Sequence, residues 1–344
     1  MASKRVTIYD LAKELGISPS YISKALNNHP STSEKIKQVV KKKAAELNYK
    51  PNSHAANLRQ GSSKTIGVIV PHINQSFFSE VISGIEEVSF ENNHSLIICQ
   101  SHDSYEQETK AIETLIHQNV DCILISISAE TQSSKYLEEI TRHDIQLIQF
   151  DRCLDSLDGY KVLNDNKNVS YNAVNILINE GYKRIAFIGG PIHIGVFRDR
   201  KEGYLKAMKD AGLNVPGNFI IDSALNKEAA IQHATDLLNT KEPPDAFFTV
   251  SDLQSLGVLS VANSLGIKVP QQVGIFGFAN EAFTELINPT LSSIDQKSKE
   301  LGKCTANLYF KNILPGNVVA EEDKIKMISS EIITRQSSSR IAAS

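Results

Sequence analysis

A chain of 344 residues with 41% hydrophobic and 22% charged residues is globular in composition and long enough for more than one packed core. Lys and Arg number 36 against 39 Asp and Glu, so the chain as a whole is not polybasic. No run of about 18 apolar residues occurs, the first residues carry no apolar signal region, and the four cysteines are widely separated; a cytoplasmic protein with no membrane span and no disulfide framework is expected.

The charge is unevenly spread. Residues 1–64 hold 12 Lys and Arg against 4 Asp and Glu, about +8, whereas residues 65–344 hold 24 against 35, about −11. A basic module on an acidic body suits phosphate contact through the first module alone. Within it, Ile8, Leu11, Ala12 and Leu15 fall at helical spacing, with Thr7 placed as a cap, Asp10 three residues on, and Gly16 as a stop. Ser18 is placed to cap a second helix that begins at Pro19 and turns Ile22, Ala25 and Leu26 inward. Pro19, Ser20, Tyr21 and Lys24 then look outward. A third helix is expected from a capping box spanning Ser31 to Glu34, with Ile36, Val39, Val40, Ala44 and Leu47 as its apolar stripe. Two short helices joined by a glycine turn are the form in which a helix is presented to the DNA major groove, although the periods alone also fit any small three-helix bundle. Lys41, Lys42 and Lys43 read either as phosphate contacts or as a solvated face.

After Pro51, residues 52–60 are compatible with a helix too short to stand alone, or with a plain linker leading into Gly61, Ser62 and Ser63. From Thr65 the pattern changes. Apolar runs at 66–70, 96–99, 122–125, 147–150, 185–188, 246–250 and 273–278 alternate with helical stretches, the signature of parallel strands covered on both faces. About 280 residues of this kind exceed one such sheet, so two α/β lobes are expected. Ligands of such sheets bind beyond the strand ends. His72, Asn74, Phe77 and Phe78 follow the first strand, His102 and Asp103 the second, Asp151 and Arg152 the fourth, Ser251 and Asp252 follow Val250, Asn280 follows Phe278, and Arg200 opens a helix after Gly189, Gly190 and Pro191, with a cross-lobe salt bridge as the alternative role for Arg152. Carboxylate, amide and guanidinium groups beside aromatic faces form a kit for a polyhydroxylated ligand. Cys99, Cys122, Cys153 and Cys304 read as small hydrophobes, and no catalytic motif, recurring metal-ligand spacing or cofactor fingerprint appears; no enzyme and no cofactor are expected.

The stretch V-T-I-Y-D-L-A-K-E-L-G-I-S-P-S-Y-I-S-K-A-L-N, followed by L-N-Y-K-P-N-S-H-A-A-N-L at 47–58, closely resembles the head and hinge of the lactose-repressor (LacI) family. The resemblance continues through I-G-V-I-V-P at 66–71, R-x-x-G-Y at 200–204, S-D at 251–252 and P-Q-Q-V-G-I-F-G-F at 270–278. It implies a sequence-specific transcriptional regulator, a repressor first and a ligand-dependent activator or corepressor-type regulator as the alternative, with a solute-binding protein or a sugar-processing enzyme of the same α/β class as outside rivals. The implied architecture is a helix-turn-helix head at 1–50, a hinge helix and linker at 51–64, a periplasmic-binding-protein-like core at 65–336 and a tail at 337–344. Within the core, one lobe takes about 65–163 and 293–318, the other about 164–292 and 319–336.

By the same resemblance Pro19, Ser20, Tyr21 and Lys24 face the bases or nearby phosphates, and Lys24 stands where many relatives carry Arg, keeping charge without the bidentate fork. Thr7, Tyr9, Ser18, Ser23, Asn27 and Ser33 position the head on the DNA backbone or serve as caps. Asn52, Ala55 and Leu58 belong to the hinge, whose Leu58 wedges into the minor groove of a pseudo-palindromic operator held by a homodimer. The tail lacks leucine heptads, which favours a dimer over a tetramer, with the helix from Phe78 to Glu91 as its implied face. Asn74, Phe78, Asp151, Arg200, Asp252 and Asn280 are the expected effector contacts, for a sugar or sugar-derived molecule. Ala279 and His72 stand where many relatives have Asp, so no particular sugar is implied.

Overall fold

The computed structural model describes residues 6–50, 62–317 and 320–340, so Asn52, Ala55 and Leu58 lie outside the described residues. The chain divides into two compact units, Met1–Ser63 and Lys64–Ser344.

In the first unit three helices, α1 (Ile8–Leu15), α2 (Pro19–Leu26) and α3 (Glu34–Glu46), enclose Leu11, Ile22, Ala25, Val40 and Ala44. Thr7 and Asp10 close a reciprocal box: the Thr7 hydroxyl accepts the Asp10 amide and the Asp10 carboxylate accepts the Thr7 amide at 2.7 Å. Gly16 ends α1 at φ +64°, a conformation that costs glycine little. Ser18 caps α2 by accepting the Tyr21 amide at 3.3 Å, with Pro19 at the first position. The third helix differs from expectation. It begins at Glu34, so Ser33 rather than Ser31 holds the cap position, and Ser33 makes no side-chain cap bond, while the Ser31 hydroxyl pairs with His29 Nδ1 at 2.8 Å. Val39 is exposed, and the aliphatic stem of Lys37, whose ammonium pairs with Glu34 at 2.6 Å, is buried in its stead.

The second unit runs β1 (Thr65–Val70), α4 (Ser76–Glu91), β2 (Ser95–Gln100), α5 (Tyr105–His117), β3 (Cys122–Ile125), α6 (Leu137–Arg142), β4 (Gln146–Phe150) and β5 (Tyr160–Asn164). It continues through α7 (Asn166–Asn179), β6 (Ile185–Ile188), α8 (Gly195–Asp210), β7 (Ile220–Ile221), α9 (Lys227–Leu238), β8 (Ala246–Thr249), α10 (Asp252–Ser264) and β9 (Gly274–Phe276). It closes with β10 (Ser293–Asp295), α11 (Ser298–Asn307), β11 (Ile325–Ile328) and β12 (Glu331–Ile333). One parallel sheet has the order β11-β5-β4-β3-β1-β2 and the other β7-β6-β8-β9. Of their inner strands, β1, β3, β6 and β8 are buried throughout, as continuous Ile, Val and Phe runs require, while β4 and β5 are partly exposed.

The chain passes between the lobes three times. It crosses first after β5, then along β10, then along β12, which pairs antiparallel with β10. The buried Asn164 amide ties the crossings together, donating to the carbonyls of Gln296 at 3.0 Å and Ile328 at 3.1 Å. Residues 319–336 therefore do not all belong to the second lobe: Ile325–Ile328 extends the first sheet beside β5. Nor is 337–340 a loose tail. Ser337 and Ser338 are buried, and the Arg340 guanidinium lies 4.1 Å from the Tyr182 ring centre.

Candidate ligand cavity and nucleic-acid interface

Strand ends and helix starts of both lobes converge on a cavity of about 310 Å³. Gln75, Phe77 and Phe78 enter from the start of α4, Val196 and Phe197 from α8, Asn226 to Glu228 from α9, and Ser251, Leu253 and Gln254 from α10. Asp151, Arg152, Phe278, Ala279, Glu281 and Gln296 complete the polar floor and the rim.

Of the expected contacts, Phe78, Asp151 and Arg200 line this cavity. Arg200 sits one turn into α8 rather than at its start. It is 5% exposed, donates from Nε to Asn166 Oδ1 at 2.8 Å and from Nη1 to the Val250 carbonyl at 2.9 Å, and its guanidinium carbon lies 3.6 Å from the Phe278 ring centre. Burial pulls its pKa down to about 10, with the Asp151 charge working the other way. Two of its nitrogens are thus fixed by lobe two, and Nη2 makes no hydrogen bond among the described residues. Burial raises the pKa of Asp151, against the pull of Arg200 and Arg152. An acceptor and a fixed donor therefore flank the same space, the pairing that a hydroxyl-bearing ligand satisfies in both directions.

Asn74, Asp252 and Asn280 do not line the cavity. Asn74 is exposed beyond the end of β1. Asn280 turns its side-chain oxygen to Arg335 Nη2 at 2.9 Å. Asp252 is fully buried, and both its oxygens are occupied: Oδ1 accepts the Ser293 hydroxyl at 2.7 Å and Oδ2 the Glu281 amide at 2.8 Å. It secures a loop in which Ala279 and Asn280 hold φ of +115° and +51°, conformations that L residues rarely adopt. That loop delivers Ala279 and Glu281 to the cavity, and Glu281 accepts the Ser76 hydroxyl of the other lobe at 3.2 Å. Among the missed lining residues, Gln75 stands between Asn74 and Phe77 after the first strand, whereas Phe197, Asn226, Lys227, Glu228 and Gln296 follow no long apolar run closely enough to be found that way.

Burial pushes the Asp252 pKa up to about 7, against hydrogen bonds from Ser293 and the Glu281 amide. Since the fold favours the protonated acid, the stability Asp252 contributes is complete below about pH 4 and is lost as pH rises through about 7. Asp252→Asn, whose amide mimics the protonated acid, is expected to flatten the fall in stability between these limits. Thermal unfolding at pH 5 and pH 7 checks this; an unchanged slope would show that another group carries it.

Arg152 makes no salt bridge across the lobes. Its ion pair is with Asp103 of its own lobe. Among the described residues, Arg198 pairs across the lobes with Asp155, at 2.7 Å.

In the head, Tyr9, Ser20, Lys24 and Asn27 are exposed, while Pro19, Tyr21 and Ser23 are half-buried on α2. Thr7 and Ser18 have their hydroxyls committed to caps, and Ser18 also lies 3.2 Å from the Ser20 hydroxyl. Lys24 is exposed on α2, and Lys41 is held to Asn28 Oδ1 at 2.7 Å.

This pairing of a helix-turn-helix head with a two-lobed core is matched by two family profiles. That of bacterial regulatory proteins of the lacI family covers residues 7–52, and that of periplasmic binding proteins and the sugar binding domain of the LacI family covers residues 63–336. The chain belongs to the LacI family. It is 31% identical over 331 residues to the HTH-type transcriptional repressor CytR of Escherichia coli K12, covering 96% of each chain. It is 29% identical over 330 residues to the HTH-type transcriptional repressor PurR of Vibrio campbellii, covering 96% of this chain and 97% of that one. In fold it is similar to the lac repressor dimer bound to operator and the anti-inducer ONPF, with a TM-score of 0.84 and 20% identity over 97% of this chain and 99% of that one. It is also similar in fold to the CelR–cellobiose complex, with a TM-score of 0.73 and 22% identity over 97% of this chain and all of that one. Architecture and relatives are those of ligand-regulated DNA-binding repressors, and this LacI-family chain is a transcriptional regulator of that kind. No helix among the described residues is long and apolar enough to cross a membrane.

Proposed function

We propose that the protein represses transcription as a homodimer on a pseudo-palindromic operator and that a neutral, sugar-like effector bound between its lobes changes its operator affinity. The observation that carries the effector class is the cavity floor, where Arg200 and Asp151 face one space while Phe78, Phe197 and Phe278 supply apolar walls. A volume of about 310 Å³ stands at the small end of ligand pockets, which suits a molecule of one or two rings. The two buried guanidiniums already have carboxylates close by, Arg152 with Asp103 and Arg200 with Asp151, so the site does not call for an anion. Support for the dimer and the operator comes from the family, and the exposed α4 residues Ser79, Ser83, Glu86 and Phe90 offer one face for a second copy. Asn52, Ala55 and Leu58 are assigned to the minor groove by resemblance. A ligand that binds only the folded protein raises its melting temperature, so a thermal-shift screen of sugars, sugar phosphates and nucleobases tests the class. Stabilisation by sugar phosphates alone would overturn the neutral-ligand reading.

For DNA reading, Lys24 is assigned to a base edge. Lys24→Ala is expected to cost about 1–3 kcal/mol on a selected operator, with a smaller loss on nonspecific DNA. Equal losses on both, measured by fluorescence anisotropy at one salt concentration, would make Lys24 a phosphate contact.

A further inference from the structure

Asp103 lies just beyond β2, the second of two consecutive residues in the left-handed region, with φ of +52° at His102 and +60° at Asp103. Its carboxylate has three partners. Oδ1 accepts Arg152 Nη1 and the Ala129 amide, the latter at 2.9 Å, and Oδ2 accepts His72 Nε2 at 3.1 Å. Burial raises its pKa, but Arg152, the Ala129 amide and His72 outweigh burial and hold it below the usual carboxylate value.

Two of these partners reach the other lobe. The Arg152 guanidinium lies between two rings, 5.8 Å from the centre of Phe78 in lobe one and 5.3 Å from that of Phe197 in lobe two. The Ala129 carbonyl accepts His193 Nε2 of lobe two at 2.8 Å. From behind, the buried Glu108 carboxylate fixes the same loop by accepting the Ser128 amide and the hydroxyls of Thr131 and Tyr136. Among the described residues, none of the hydrogen bonds or ion pairs of Asp103 itself reaches lobe two.

We propose that Asp103 is a positioning residue for lobe closure: one carboxylate in lobe one holds Arg152 between Phe78 and Phe197 and presents the Ala129 carbonyl to His193. A cation loosely held would sample many places over a ring; anchored by a carboxylate, it keeps the face-on geometry in which ring and charge attract. The regulatory meaning of this clasp rests on the cavity being the effector site, since closure around that cavity is what the clasp would favour.

Hydrogen exchange of the full-length protein, read by mass spectrometry with no small molecule added, tests it. Asp103→Asn is expected to raise exchange in peptides covering 192–198 by about tenfold, with β6 and β8 of the same lobe unchanged. A rise confined to lobe one, or a uniform rise along the chain, would overturn the proposal. Should Asp103→Asn fail to fold, His193→Ala carries the reciprocal test, with faster exchange expected at 126–131; wild-type exchange there would equally overturn it. Because no effector is added, failure here leaves the ligand class standing, and a screen that finds no stabilising sugar leaves the clasp standing.

Discussion

Arg200→Ala is expected to abolish the thermal shift produced by the effector while leaving operator affinity within about threefold of wild type. The guanidinium is held by Asn166 and the Val250 carbonyl and stacked on Phe278, so it is already oriented when a ligand arrives. Charge-assisted hydrogen bonds are each worth about 1.5–3 kcal/mol, so losing one or two costs about 10-fold to about 20,000-fold in effector affinity. The variant also removes from the buried Asp151 the cation that offsets its burial most, which lowers stability by about 3 kcal/mol or more. Arg200→Lys separates the two effects, since it keeps a charge near Asp151 but not the planar fork. It is expected to fold at close to wild-type stability with weakened effector binding. Operator and effector binding failing in parallel in both variants would make Arg200 a structural residue alone.

Gly302→Val is expected to be the most destabilising single change in lobe one. A Cβ at Gly302 would lie 2.1 Å from the Val81 carbonyl oxygen, and one at Gly84 would lie 2.2 Å from that of Lys299. Helices α4 and α11 thus touch backbone to backbone, and no rotamer relieves such an overlap. They must separate, which opens the packing of Val81, Ile85, Leu301 and Ala306. The expected cost is about 3 kcal/mol or more, at the upper end for overpacked cores. Because the start of α4 carries Phe77 and Phe78, effector affinity should fall as well. Gly217→Ala, where nothing lies within 4 Å of the added carbon, serves as the neutral control. Denaturant unfolding decides; equal midpoints for the two variants would show that the crossing yields without cost.

Local chemistry was legible in the sequence wherever cause and effect lie within a few residues. Thr7 with Asp10, Gly16, and Ser18 with Pro19 each act over less than one turn, and the head follows from them. The buried strands β1, β3, β6 and β8 announced themselves as unbroken apolar runs. By contrast β5, read Y-K-V-L-N, hides behind Lys161, whose ammonium is satisfied by the Leu154 carbonyl at 2.9 Å. The edge strand β11 leaves Ile325 and Met327 exposed, and its partner β5 lies more than 160 residues earlier. The same distinction separates the site residues. Asp151 and Asp252 both follow strands, yet Ser293, 41 residues further on, turns the second carboxylate away from the cavity into a loop anchor. Ser31 fails as a cap because the helix starts three residues later, at Glu34, where Ser33 takes the cap position and Ser31 pairs with His29 instead.

The direct test of ligand control is an operator-binding isotherm at fixed salt, measured with and without whichever ligand the thermal-shift screen identifies. The operator is recovered by selection from a random DNA pool. The expected result is a change in apparent Kd of about 5- to 150-fold for the wild type, the usual range of allosteric coupling, and none for Arg200→Ala. A ligand that stabilises the wild-type fold through this cavity yet leaves its isotherm unmoved would contradict control of DNA binding from between the lobes.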